Sequence, residues 1–315
     1  MSSGHDFVGI GYCGLDTLCM VPHIPIDEKV QISRLLIQGG GPAATATVAA
    51  ARLGLRAVFV GAVGDDDRGG AILHEFEREG VDTGYISRRP GAESAAAFCW
   101  VEEASGRRSI AWTRGSAEAV RADELCVELA ASAGVIHLDG HQAAAAMRAA
   151  EVAQDRGIPV FLDAGSVLPG IAELMARCDV VIASQTFARR FTGQDSPEKA
   201  VRALRECGSR WTGVTLGTAG SLGYDGERLV RAGSFPVTVV DTTGAGDVYH
   251  GAFAAEYLEL LRAGHDVPDM GQCMRFAAAA AALKCRRLGG RSGIPSRQDV
   301  VGFLASQPRE VQVLS

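Results

Sequence analysis

Lysine is nearly missing from this chain. Only Lys29, Lys199 and Lys284 occur in 315 residues, and arginine carries the positive charge. There is no basic block and the net charge is −6, which argues against a nucleic-acid or anionic-membrane partner. Closely spaced cysteine pairs are missing too. Cys13, Cys19, Cys99, Cys126, Cys178, Cys207, Cys273 and Cys285 form no C-x-x-C and no Cys/His cluster at metal-ligand spacing. They read as free thiols in a reducing, cytoplasmic setting. No apolar run is long enough to span a bilayer, and Met1–Asp6 lacks the basic start and apolar core of a signal peptide. No Gly-Lys pair occurs anywhere, which excludes a P-loop. What is present is 47% hydrophobic residues, ample for one large core.

One stretch organises the rest: Asp241-Thr242-Thr243-Gly244-Ala245-Gly246-Asp247. The apolar, β-branched run 235–240 before it predicts a strand. After it, Val248, Tyr249, Ala252, Phe253, Tyr257, Leu260 and Leu261 recur at helical spacing. Strand, Gly-rich turn and helix leave free N–H groups at a helix start, where anions bind. Gly244, Ala245 and Gly246 let an anion approach the backbone. A carboxylate at Asp247 would repel a phosphate unless it took a proton from an attacking hydroxyl. Read from residues alone, an Asp-capped helix after a Gly turn is an equally good account.

Elsewhere the chain alternates. Strands are predicted at 7–11, 57–64, 135–138, 160–163, 179–183 and 213–217, and helices at 42–53, 143–156, 187–192, 197–207 and 274–285. This rhythm implies an α/β fold with a mostly parallel sheet and helices on both faces. Ligands then gather beyond the C-terminal strand ends, where Asp139, His141, Asp163, Ser184, Gly217 and Asp247 all fall. Gly9-Ile10-Gly11-Tyr12-Cys13-Gly14 matches a dinucleotide fingerprint, but Pro22 and Pro25 follow where that fold needs a helix. Asp65-Asp66-Asp67 reads as a helix cap rather than a metal site. Residues 17–21, 30–37, 95–101 and 108–113 add strands outside the rhythm, with a turn at 102–107; Arg107, Arg108 and Arg114 there face solvent or an anionic substrate, a solvated face being the better reading.

The 241–247 motif, continued by Tyr249-His250-Gly251-Ala252-Phe253, resembles the C-terminal signature of the PfkB (ribokinase-like) carbohydrate kinases, and the resemblance covers nearly the whole chain. It implies one ribokinase-like domain over 1–315 with a discontinuous β lid at about 14–38 and 93–115. It also implies ATP-dependent phosphorylation of a sugar hydroxyl with Mg²⁺, and a monovalent cation such as K⁺ near the adenine. The lid often pairs with a second subunit, so a homodimer is expected. By the resemblance Asp247 is the base and Gly244, Ala245 and Gly246 form the anion hole. Asp16, Gly40, Gly41, Thr45 and Asp139 face the sugar. Ser184, Thr215, Gly217, Gly220 and Thr243 face ATP.

Two departures stand out. Thr45 replaces the family's sugar-contacting Asn, and Ser184-Gln185-Thr186-Phe187 replaces its Asn-x-x-Glu, which leaves Asp163, or water alone, to place magnesium. Together with the Ala-Leu-Lys-Cys run and the 289–295 loop, these are most similar to bacterial 6-deoxy-6-sulfofructose kinases. The Glu-Ala-Ser-Gly-Arg-Arg turn is similar to ketohexokinases. A ketose, fructose-like or sulfofructose-like, is the expected substrate. A ribose or nucleoside kinase, or a non-catalytic sugar- or nucleotide-binding regulator, are the alternatives.

Overall fold

The computed structural model describes residues 4–105, 107–308 and 311–314; Met1–Ser3 and Gly106, in the turn expected at 102–107, lie outside them. The strands are β1 (Phe7–Ile10), β2 (Gly14–Val21), β3 (Arg34–Gly40), β4 (Ala57–Gly64), β5 (Ile86–Arg89), β6 (Ala96–Glu102), β7 (Arg108–Thr113), β8 (Val135–Leu138), β9 (Val160–Ala164), β10 (Val180–Ser184), β11 (Trp211–Thr215), β12 (Ser221–Tyr224), β13 (Leu229–Ala232) and β14 (Val311–Val313). The helices are α1 (Pro42–Arg52), α2 (Asp67–Arg78), α3 (Val127–Ala131), α4 (Ala143–Arg156), α5 (Ile171–Met175), α6 (Gln185–Thr192), α7 (Pro197–Arg205), α8 (Ala245–Arg262), α9 (Met270–Lys284) and α10 (Arg297–Ala305).

Ten strands form one sheet in the order β14-β13-β12-β11-β10-β9-β8-β1-β4-β5. From β11 to β5 every pairing is parallel; β12, β13 and β14 add an antiparallel margin. Strand alternation splits the core between the two faces. Phe7 and Phe59 pack towards α1, α8 and α9, whereas Val8, Ile10 and Val58 pack towards α4 and α7. On the first face α1 and α8 approach closely because both are rich in small residues. Gly251 of α8 lies directly against the Ala46 carbonyl and the Ala49 side chain, with no room for a Cβ.

A separate four-stranded sheet, β3-β2-β6-β7, sits over the C-terminal strand ends. Its own small core is Leu18, Cys99 and Val101. Residue 14, the last glycine of the dinucleotide-like match, opens β2 rather than a helix.

Two expected strands differ. β3 begins at Arg34, because its pairing with β2 starts at Met20 and the chain at 22–33 only turns between them. The run 235–240 forms no strand. Pro236 lacks a donor for a ladder, and Phe235, Val237 and Val239 instead line a cleft. The run ends by donating from Val240 N and Asp241 N to the Cys285 carbonyl, 2.8 and 3.2 Å. Among the described residues no helix is long and apolar enough to cross a membrane, and all eight cysteines are free.

Candidate active site

The turn before α8 is built by Asp241. Its Oδ1 accepts from Thr243 N (2.9 Å) and Thr243 Oγ1 (2.8 Å), and its Oδ2 from Gly289 N (2.8 Å). Burial opposes the charge on Asp241, but these donors and nearby Lys284 hold its carboxyl below the usual range. The buried Lys284 donates to the Asp241 carbonyl at 2.9 Å. Gly244 caps the helix at φ +74°, a conformation that favours glycine. A side chain there would also meet the Gly290 backbone. The 18-residue α8 follows. Gly246 and Asp247 lie in its first turn, where a helix offers their N–H groups no carbonyl.

Ala245 and Gly246 open onto a cleft of about 380 Å³ shared with Thr215, Gly217, Gly220 and Thr242. The Gly217 and Gly220 turn has positive φ at both residues. Thr242, rather than Thr243, faces this cleft, since the Thr243 hydroxyl is engaged by Asp241. Ser184 caps α6 by accepting from Phe187 N at 3.1 Å, one strand over from Thr215.

The charges of Asp163, Asp139 and Asp16 all act on Asp247. Burial, then the charges of Asp163 and Asp139, push the Asp247 carboxyl well above its ordinary value, against the pull of Arg291. Asp139 is a tie between elements: its Oδ2 accepts from Tyr12 N (2.9 Å) and Ala43 N (3.2 Å), and its Oδ1 from His141 N (2.9 Å). Asp163 pairs with His250, one turn beyond Asp247, at 3.3 Å. Burial would raise Asp163, but His250 holds it below its ordinary value. Asp163 belongs to no cluster of three or more His, Cys, Asp or Glu side chains fit to ligate a metal among the described residues. Beneath the pair, His137 is fully buried and held neutral, pulled down to about 3 by burial and by His250.

Gly40 lies against the Asp16 carboxylate and Gly41, at φ +104°, caps α1. Thr45 is covered, its Oγ1 accepting from the equally buried Arg291 Nε at 3.4 Å, so its hydroxyl is not open to a ligand. The lid's edge strand β7 is exposed along its length, as are Arg107 and Arg114 at its two ends. Arg108 Nη1 lies 3.4 Å from Thr242 Oγ1, and Arg114 Nη2 lies 2.8 Å from His141 Nδ1. The acidic cluster at 65–67 is a cap: Asp66 accepts from Gly69 N at 2.9 Å and from Ser94 Oγ at 2.6 Å.

Arg291, Glu75, His250 and Asp241 carry much of this arrangement and were not singled out from the sequence. Apart from the bonds of Asp241 to Thr243, their partners lie tens to hundreds of residues away, so no local pattern marks them; only the placement of Asp241 and His250 inside the signature is a signal.

The geometry has counterparts. The chain is 30% identical over 315 residues to ribokinase from Haemophilus influenzae, covering 94% of this chain and 97% of that protein. It is 30% identical to fructokinase-1 from Zea mays, over 96% of this chain and 99% of that one. The structure of Arabidopsis thaliana ribokinase complexed with ribose and ATP matches with a TM-score of 0.83 and 27% identity, covering 96% of this chain and 100% of that one. The model of the pfkB family of carbohydrate kinases matches residues 6–297, and with the fold, the helix start at Asp247 and these relatives it follows that this chain belongs to the pfkB carbohydrate kinase family.

Proposed function

We propose that this ATP-dependent carbohydrate kinase phosphorylates a primary hydroxyl of a ketose, with Asp247 as the base. The observation that carries the reading is the position of Asp247. It stands in the first turn of α8, next to a cleft lined by Ala245 and Gly246, and feels the charges of a group of carboxylates that includes Asp16. A raised carboxyl at that point is suited to receive a proton. The first-turn amides of α8 and its dipole stabilise negative charge on the moving group. When bound, ATP supplies the phosphoryl group, which passes to the sugar oxygen as ADP leaves. Thr215, Gly217, Gly220 and Thr242 are the residues that would hold it. Asp16, Gly40 and Gly41 orient the sugar, and Asp139 keeps the ends of β1, β8 and α1 in register beneath it.

The lid's outer face supports a homodimer as the working form. The test of function is ADP release from Mg·ATP over fructose, 6-sulfofructose, fructose 6-phosphate, ribose, 2-keto-3-deoxygluconate and nucleosides, with and without K⁺. A ketose turned over at least tenfold better than ribose is expected. Preference for ribose or a nucleoside overturns the ketose reading, and ATP binding without turnover on any of them overturns catalysis.

A further inference from the structure

A buried ion pair stands where β3 meets α1, and the function proposed above gives it no role. Arg291 is 1% exposed and Glu75 7%. Their Nη1 and Oε1 are 3.5 Å apart. Burying two charges is costly, and an apolar pair of similar volume would often serve stability as well. The surroundings show what the pair touches. The Glu75 carboxylate also accepts from Gly39 N. Arg291 Nη2 donates to the Gly40 carbonyl at 3.3 Å, its Nε to Thr45 Oγ1 at 3.4 Å, and its guanidinium lies over Phe76, 5.0 Å from the ring centre. Gly39 and Gly40 are the last residues of β3, where the lid joins α1. Neither has a side chain. Arg291 and Glu75 press on Gly39 and the Asp16 carboxylate presses on Gly40, so only backbone separates the pair from Asp16.

We propose that the Arg291–Glu75 pair is a positioning device for Asp16, fixing where it stands through Gly39 and Gly40 and governing its charge through the two opposite charges behind them. For the role of Asp16 in holding sugar, the inference rests on the function proposed above; its electrostatic part does not. Burial raises Asp16 to about 6, Arg291 draws it down and Glu75 pushes it up. The other titratable groups facing Asp16 are Tyr12 in the turn before β2, Cys99 on β6 and Asp247 on α8. None of them changes in the test.

The test is a ¹³C-carboxyl NMR titration of the full-length protein, with Asp16→Asn identifying the Asp16 signal. Wild type is compared with Arg291→Gln and Glu75→Gln. Both variants break the same pair, so a purely structural role moves Asp16 the same way in both. The proposal expects opposite movement: the midpoint rises by about one pH unit in Arg291→Gln and falls by a similar amount in Glu75→Gln. Movement in one direction, or none, overturns it. If Arg291→Gln does not fold, Glu75→Gln decides alone, a fall supporting the proposal and a rise or no change overturning it. Arg291→Lys, which keeps the charge, should titrate near wild type. For whichever sugar wild type phosphorylates, the acidic limb of kcat/KM moves with the NMR midpoint. Absence of turnover by wild type counts against the kinase reading alone, because the titration needs no substrate.

Discussion

At Asp247 two environments meet: a helix start that favours negative charge and neighbouring carboxylates that oppose it. Burial and Asp163 win, and the folded-state value is raised. Two expectations follow from that sign. Asp247→Asn removes the proton acceptor, so kcat falls by about 10²–10⁴ while sugar affinity, measured by calorimetry, changes little. Near-wild-type turnover would show that another group is the base. The same substitution acts on stability in the other direction. The unfolded chain ionises Asp247 at the ordinary carboxylate value, whereas the folded chain holds the proton to higher pH. Stability from this group is therefore complete at low pH and is lost as pH rises through the folded value. Asparagine removes that loss, so the variant melts higher than wild type at pH 8, by roughly 2 °C per kcal/mol relieved, and no higher at pH 4. A calorimetric scan at the two pH values checks it. The carboxylate was legible in the sequence because its motif is contiguous. Its electrostatic setting was not, because Asp163 and Asp139 are brought to it only by the parallel sheet.

At the scale of elements, α8 matters for where its first turn points, and α1 fixes that. The two helices touch at Gly251, against the Ala46 carbonyl and Ala49. Alanine there gains about 1 kcal/mol of helix propensity but forces backbone apart in a close-packed contact, a cost of about 1–3 kcal/mol. Gly251→Ala is expected to be destabilised by about 1 kcal/mol in urea unfolding, with a several-fold loss of kcat as the helix start shifts. A more stable variant would mean that the contact relaxes freely. Both helices could be read in advance: α1 is bracketed by Pro42 and Gly54, and α8 keeps a clear helical spacing. The run 235–240 misled because apolar residues that line a cleft look like residues that line a sheet. The antiparallel margin of β12, β13 and β14 went unread for a related reason. Its strands are short, and the alternation of strand and helix that marks the parallel part stops there.

For the whole molecule, the lid has two sides with different tasks. By cross-strand register Thr17 lies opposite Ile37 and Phe98, and Cys19 opposite Leu35 and Trp100, so these side chains share one face. Asp16 and Gln38 lie on the other, towards the active site. On the outer face Leu35 and Ile37 are each 57% exposed and Phe98 48%. Large apolar side chains this exposed and this contiguous mark an interaction surface, and a second copy of the same face is the partner proposed here. Each such side chain contributes about 1.5–3 kcal/mol when buried. Wild type should therefore sediment as a dimer at about 10 µM, and Ile37→Glu with Phe98→Glu should weaken association at least roughly 100-fold, about 2.7 kcal/mol or more. Because Asp16 is on the reverse side of the same strands, the monomeric variant should also show a raised KM for sugar with the nucleotide KM unchanged. A wild-type protein that stays monomeric at that concentration would leave the outer face without a self-partner. A variant that becomes monomeric with both KM values unchanged would show that the lid holds Asp16 without help from a second copy.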